Sequence, residues 1–202
     1  MLVYANRLIG TPILSMQAAA PVGQIYEPIV DPDSLKIIAF YLVGSLVDRN
    51  ANILDVKSVR EYSVMGMVVD SADEFVGRED VIRIEKVVKL NFSLVGLKVE
   101  TKKGTKLGRV VDFTITSEDF MVQQIIVKRP LVKSFLDPEL IIPRREIVEV
   151  TDEKLIVKDE EDAIKRKAET TEFIPNFVNP FRKTEQVHAK ERNQNLDDID
   201  IE

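Results

Sequence analysis

The sequence predicts an all-β protein of two small β barrels in tandem, followed by a short C-terminal helix and a flexible tail. The first observation behind this prediction is an internal repeat. The segment that starts at Gly23 recurs at Gly108, 85 positions later, and apolar residues such as Ile25 and Val110 then match without a gap. The second observation is a series of short apolar runs, each followed by a turn, which is typical of strands in a closed or nearly closed sheet.

The repeat sets the predicted domain boundaries. We predict a first barrel over residues 1–75, a linker over 76–91 and a second barrel over 92–158. A short helix over 159–170 and a flexible acidic tail over 171–202 complete the chain. A unit of about 75 to 85 residues buries little apolar surface, so docking of one barrel on the other would stabilise both.

The second barrel has the clearer strand pattern. Alternating apolar and polar residues at 97–101, a Lys-Lys-Gly turn and an extended run at 107–115 indicate a hairpin. A run rich in β-branched residues at 120–127 predicts one buried strand. Residues 140–157 predict three more short strands, with a single helical turn at 143–146.

The first barrel follows the same plan with a less regular first turn. Residues 17–21, Gln-Ala-Ala-Ala-Pro, replace the Lys-Lys-Gly turn, and residues 43–51 form a loop. Later the offset of the repeat grows to 88, so that Val59 matches Ile147. The linker carries apolar residues among charged ones, and its periodicity leaves both a strand and a short helix open.

The C-terminal segment has a different composition. Residues 159–168 place acids before bases, which suits the dipole of a short helix. Farther on, Pro175 and Pro180 exclude a continuous helix, so that an extended arm is expected. The arm would bury its aromatic rings either on the protein's own barrels or on a partner. Its candidate anchors are Phe173, Phe177 and Phe181.

Composition and charge bound the class of protein. The chain has 202 residues, a net charge of −6 and no cysteine, which excludes disulfides and cysteine nucleophiles. Lysine and arginine outnumber aspartate and glutamate by 12 to 10 over residues 91–158, so the second barrel is mildly basic. No apolar run approaches the roughly 18 residues of a membrane span, and no secretory signal is evident. We expect a cytoplasmic protein of bacterial type.

The sequence predicts no catalytic, cofactor-binding or metal-binding residue, and we expect that the protein is not an enzyme. The single histidine, His188, lies in the predicted tail and lacks an ordered frame for acid–base chemistry. Glu27 and Asp112 occupy equivalent positions of the repeat, and each is expected to accept hydrogen bonds from turn amides or to cap a neighbouring hairpin. The pair Asp31 and Asp33 lacks the spacing and the glycine of a calcium loop, and is expected to form an ordinary turn.

Several short motifs of the second barrel resemble those of a known family. They are a strand start that ends in Gly96, the stretch Leu107-Gly-Arg-Val-Val-Asp112, and Ile141-Ile-Pro143 before a polar turn. This pattern resembles the PRC barrel, a family named after the photosynthetic reaction centre. The family includes the barrel of the reaction-centre H subunit and the C-terminal domain of a ribosome maturation factor.

The resemblance covers residues 92–158 well and residues 5–71 more loosely. It implies a compact β barrel that serves protein contacts or assembly and has no active site. The ribosome maturation factor also has a distinct N-terminal barrel, whereas this chain has a second PRC-like unit in that place.

Three functions follow as hypotheses. The first is a non-enzymatic interaction or assembly module with a protein partner, in an oligomeric state that stays open. The alternative is an accessory factor in ribosome or RNA maturation that contacts RNA through the second barrel. Its candidate contacts are Lys102, Lys103, Arg144 and Arg145, which have Lys106, Arg109, Lys128, Arg129 and Lys133 as basic neighbours. A third possibility is an enzyme whose ligand lies between the barrels, but the sequence offers no set of catalytic groups for it.

Overall fold

The structure is a computed structural model that describes residues 1–129 and 139–159. Within these residues the protein is all-β, as predicted, with fourteen strands and one α-helix. The predicted C-terminal helix beyond its first residue and the predicted tail lie outside the described residues. The same is true of four predicted functional or basic positions and the histidine, which are Lys133, Phe173, Phe177, Phe181 and His188.

The strands follow the predicted pattern in both halves of the chain. The first half contains β1 (Leu2–Tyr4), β2 (Pro12–Ser15), β3 (Ala20–Asp31), β4 (Lys36–Val43), β5 (Ile53–Asp55), β6 (Glu61–Ser63), β7 (Gly66–Val69) and β8 (Phe75–Val76). The helix α1 spans Ile82–Lys89. The second half contains β9 (Lys98–Thr101), β10 (Lys106–Thr116), β11 (Val122–Lys128), β12 (Glu139–Pro143), β13 (Ile147–Val150) and β14 (Lys154–Val157).

The strands form two sheets with the same internal order. The first sheet runs β8-β5-β4-β3-β2-β7-β6, and the second runs β12-β11-β10-β9-β14-β13 with β1 paired to β10. Each sheet has one parallel pair, β2 with β7 and β9 with β14, at the same place in the order. No pairing joins the two end strands of either sheet in the part of the chain that the structure describes. The closed form of the barrels therefore stays a prediction.

The N-terminal strand belongs to the second sheet and not to the first. β1 pairs antiparallel with Thr114–Thr116 of β10, and the Met1 amino group donates to Glu118 Oε1 at 2.5 Å. β10 is much longer than its neighbour β9, so the last residues of its edge are available to β1. The predicted first domain of residues 1–75 thus contributes a strand to the other half, although the division into domains itself stays a prediction.

The two halves are joined by a reciprocal pair of backbone hydrogen bonds between hairpin turns. Ile37 N donates to Phe120 O at 3.0 Å, and Val122 N donates to Leu35 O at 2.9 Å. Leu35 and Phe120 occupy equivalent positions of the repeat, and both have left-handed backbones, with φ of 49° and 56°. Each half therefore presents the same turn to the other, in an arrangement of approximate twofold symmetry.

Side chains continue this contact into one shared core. The ring of Phe120 packs edge-on against Phe40 of the first half, with ring centroids 5.7 Å apart, and lies 6.4 Å from the ring of Tyr62. Buried apolar residues of both halves belong to a single cluster. Residues 1–160 accordingly form one compact unit.

The linker resolves into a helix that covers the outer face of the first sheet. Ile84 of α1 is fully buried in a small cluster with Ile29, Ile38 and Ile53. Arg83 Nη2 donates to Asp55 Oδ1 at 2.6 Å across the same contact. Val87 and Val88 pack against the same cluster, so the helix places its apolar residues on the face that covers the sheet.

Candidate functional site

A groove of about 540 Å³ lies where the first half meets the second, and we call it the junction groove. The segment before β2 and the middle of β3 line it from the first half. The segment before β9 and the middle of β10 line it from the second half. The lining residues that matter below are Ile9, Tyr26, Glu27, Val95, Val111 and Asp112.

The repeat relates the two sides of the junction groove. Tyr26 and Val111 are equivalent positions of β3 and β10, and Ile9 and Val95 are equivalent positions before β2 and β9. All four side chains are exposed, by 58% for Tyr26, 56% for Ile9, 46% for Val95 and 39% for Val111. Large apolar side chains that adjoin one another in water are typical of a binding surface.

Asp112 is a half-buried carboxylate in this groove. Its Oδ1 accepts hydrogen bonds from Phe113 N at 2.8 Å, within β10, and from Asn6 N at 3.2 Å. Asn6 lies in the 3₁₀ turn Ala5–Leu8, in agreement with the predicted acceptance of a turn amide by Asp112. Burial raises the pKa of Asp112 above its ordinary value, although these two amides act in the opposite direction. Because Glu27 occupies the equivalent position of the other half, the groove carries one acidic group on each side.

Three cations lie side by side across β9, β10 and β11. Arg109 is in register with Lys98 on one side and with Lys128 on the other, and cross-strand partners project from the same face of a sheet. We call Lys98, Arg109 and Lys128 the cationic row. Together with Lys106 and Arg129 they line a second groove, of about 760 Å³, which we call the basic groove.

The charges of the basic groove are almost all positive. Arg109 Nη1 donates to Gly96 O at 2.9 Å, which holds its guanidinium against the strand. Glu100 also lines the groove, but Lys154 Nζ lies 3.3 Å from its carboxylate and offsets its charge. Within residues 1–129 and 139–159, no carboxylate forms an ion pair with the cationic row.

The four predicted RNA contacts lie in two turns of the second half, and their role in binding stays a prediction. Lys102 and Lys103 lie in the turn between β9 and β10, whereas Arg144 and Arg145 lie in the 3₁₀ turn between β12 and β13. The two arginines line a separate cavity of about 610 Å³. Arg144 Nη1 donates to Leu35 O at 3.2 Å, so this side chain also ties the two halves together.

Sequence reasoning missed Lys98 and the apolar side chains of the junction groove. Arg109 and Lys128 are recognisable as basic neighbours, but their alignment with Lys98 depends on strand register. The equivalence of Tyr26 and Val111 was available from the repeat offset alone. It could have indicated that both sides of a junction carry an exposed apolar residue.

The acidic pair Asp31 and Asp33 lies at the turn between β3 and β4. Asp31 accepts hydrogen bonds from Asp33 N at 3.2 Å and from Ser34 Oγ at 2.5 Å, so it is a turn residue, as predicted. Over residues 1–129 and 139–159, no group of three or more acidic or histidine side chains could hold a metal ion. Over the same ranges, no helix has the length and apolar character needed to cross a membrane.

Comparison with known proteins identifies the family of the second half. Residues 88–164 match the model of the PRC-barrel domain family, so this part of the chain is a PRC-barrel domain, as predicted. The match does not extend to the first half, and the tandem arrangement stays a prediction. No curated protein matches the chain.

One solved structure with partial similarity comes from Pseudomonas aeruginosa and is provisionally named 16S ribosomal RNA processing protein RimM. It is 18% identical, with 80% of this chain and 99% of that chain covered, and the TM-score is 0.28. A TM-score of this size does not establish a common fold.

Proposed function

We propose that this protein is a non-enzymatic interaction and assembly module, in which the junction groove binds a segment of a protein partner. The observation that carries the proposal is the set of four exposed apolar side chains at equivalent positions of the two halves, Ile9, Tyr26, Val95 and Val111. Burying such side chains against a partner is favourable, at about 25 cal/mol per Å² of apolar surface.

The chemistry of the groove favours a particular partner segment. An apolar anchor would fill the space between Tyr26 and Val111, and a lysine or arginine beside it would meet the carboxylates of Glu27 and Asp112. Desolvation already disfavours the charged form of Asp112, so a partner cation would offset that cost. The groove lies between strands that share one core, which keeps its shape fixed before binding.

The proposal includes two tandem PRC-like barrels as the scaffold of this module. Its support is the shared strand order of the two sheets, with a parallel pair at the same place in each. It also includes a cytoplasmic location, with which a chain without cysteine is compatible.

Affinity purification with paired variants tests the junction groove. The variant Tyr26→Ser/Val111→Ser removes apolar surface from both sides of the groove, and Val64→Ser/Met65→Ser removes exposed apolar surface from the turn between β6 and β7. We expect a stoichiometric partner that the wild type and the turn variant retain and that the groove variant loses. Failure of the wild type to recover any stoichiometric partner would count against the function. A partner that both variants retain would place binding elsewhere.

A second candidate function is the accessory role in ribosome or RNA maturation, with RNA contacted through the second barrel. The basic groove favours it, because five cations line this groove against one carboxylate that Lys154 already offsets. Binding of RNA at low salt by the wild-type protein is the first test of this candidate. Absence of binding under that condition contradicts it.

A further inference from the structure

We propose that the cationic row of Lys98, Arg109 and Lys128 is a binding site for the phosphate backbone of RNA. This inference rests on the second candidate function and gives that function a site. It differs from the sequence prediction, which placed the RNA contacts at the hairpin turn and at Arg144 and Arg145.

The register of three strands creates the row. Arg109 lies directly opposite Lys98 in β9 and directly opposite Lys128 in β11, and all three side chains are exposed and line one groove. Neighbouring strands lie about 4.8 Å apart, so the three cations form a line with short, regular steps. A chain of repeated phosphates suits such a line better than a single anion does, because several charges are neutralised together.

The cationic row does not stabilise the folded protein by itself. Like charges directly opposite one another across strands are destabilising. In the described residues, no carboxylate pairs with the row, and the one acidic group of the groove, Glu100, is engaged by Lys154. An anionic ligand would supply the missing counter-charge.

The first half shows that the fold does not require these cations. The equivalent row of the first sheet is Pro12, Gln24 and Val43, which has the same cross-strand register and no charge. The same backbone positions are therefore compatible with neutral side chains. The concentration of positive charge in the second half is a property of its surface chemistry and not of the barrel.

The surroundings of the row indicate how RNA would be held. No aromatic residue lines the basic groove in the part of the chain that the structure describes, so bases have no ring on which to stack. Contacts from lysine and arginine to phosphates position a nucleic acid without reading its sequence. The site would bind RNA with little dependence on sequence and with a strong dependence on salt.

Fluorescence polarisation with a labelled uridine oligonucleotide tests the site. We compare the wild type with a row variant, Lys98→Gln/Arg109→Gln/Lys128→Gln, and with a control variant, Lys102→Gln/Lys103→Gln/Arg145→Gln. Both variants lose three positive charges, and all six side chains are exposed. The control leaves Arg144 in place because that side chain bonds to Leu35 O. Thermal unfolding checks that all three proteins are folded.

We expect the row variant to lose about tenfold or more in affinity and the control variant to lose much less. The slope of log K against log salt concentration should be about −2 for the wild type, from three phosphate contacts at about −0.7 each, and should approach zero for the row variant. A second labelled oligonucleotide, of adenosines, should bind within about threefold of the first, because no base is read.

The other outcomes distinguish failure of the cationic row as the RNA site from failure of the second candidate function. If the wild type binds RNA and the control variant loses as much affinity as the row variant, the RNA function stands and the row is overturned as its site. If the wild type does not bind RNA at low salt, the second candidate function fails as well. If labelled polyglutamate binds to the row and the RNA does not, the row is a site for an acidic protein segment, and the present proposal is wrong.

Discussion

The first and second sheets share a strand order but differ in what their equivalent positions carry. Ile38 and Ala39 of β4 face α1, whereas the equivalent residues of β11 are Gln123 and Gln124. The apolar face of the first sheet needs a cover, and the linker supplies one as a helix. The polar face of the second sheet has no such need, since glutamine side chains can remain partly in water.

At the cationic row, the same comparison distinguishes residues that the fold requires from residues that are candidates for binding. Pro12, Gln24 and Val43 occupy in the first sheet the positions that three cations occupy in the second. Residues that the shared fold requires should match in both halves, as the turn residues Leu35 and Phe120 do. Residues that differ in charge, without a structural reason, are the candidates for binding.

The largest effect should come from the turn side chains that cross between the halves. Phe120→Ala removes a buried ring that packs on Phe40, so we expect a loss of about 3–5 kcal/mol in the free energy of unfolding. Leu35→Ala, at the equivalent turn, should cost about 2–4 kcal/mol. Denaturant unfolding measures both. A loss below about 1 kcal/mol for Phe120→Ala would mean that the halves do not depend on this contact.

The second effect concerns two glycines at equivalent positions. A Cβ at Gly108 would lie 2.0 Å from Lys128 O, and its φ of 148° is unfavourable for other residues, so Gly108→Ala should cost about 3 kcal/mol. A Cβ at Gly23 would meet the end of the Val47 side chain at 2.8 Å. Because a side chain can move more easily than backbone, Gly23→Ala should cost about 1 kcal/mol. Equal losses in denaturant unfolding would contradict this difference between the halves.

The smallest effect should be a pH-dependent gain at the junction groove. Burial raises the pKa of Asp112, so the charged form costs stability above that pKa, and the cost disappears as the pH falls through it. Asp112→Asn keeps an oxygen to accept from Phe113 N and removes the charge. We therefore expect a Tm at pH 7 equal to the wild-type value or up to about 3 °C higher.

Tm measured over a range of pH tests whether the charge of Asp112 causes the difference between Asp112→Asn and the wild type. The difference between variant and wild type should shrink as the pH is lowered through the raised pKa of Asp112. Glu27→Gln, at the equivalent exposed position, should change Tm little at pH 7. A large loss of stability in Asp112→Asn at pH 7 would show that the carboxylate charge itself stabilises the junction.

Local patterns predicted most of the strands. The runs at 107–115 and 120–127 correspond to β10 and β11, because alternation and β-branched residues act through neighbours in sequence. The single helical turn predicted at 143–146 is the 3₁₀ turn Arg144–Glu146. The family of the second half could also be predicted, because its motifs consist of turn glycines and strand residues at short spacing.

The features that the sequence could not predict depend on pairing between segments far apart in the chain. The three residues of β1 carry too little pattern to indicate their partner, and they join β10 only because its edge is free there. The linker was ambiguous between strand and helix until the apolar face of the first sheet gave it a surface to cover. The cationic row could not be predicted, since the alignment of Lys98, Arg109 and Lys128 depends on which strands adjoin and in which register.

The sequence by itself determined the repeat unit, the β-rich architecture and the turns that punctuate it, because glycine positions and apolar alternation act over a few residues. Only the tertiary structure decided that Leu35 and Phe120 bond across the two halves, that the junction groove has matching apolar sides, and that Lys98, Arg109 and Lys128 form a row. The physical reason is register: backbone hydrogen bonds between strands far apart in sequence fix which side chains become neighbours.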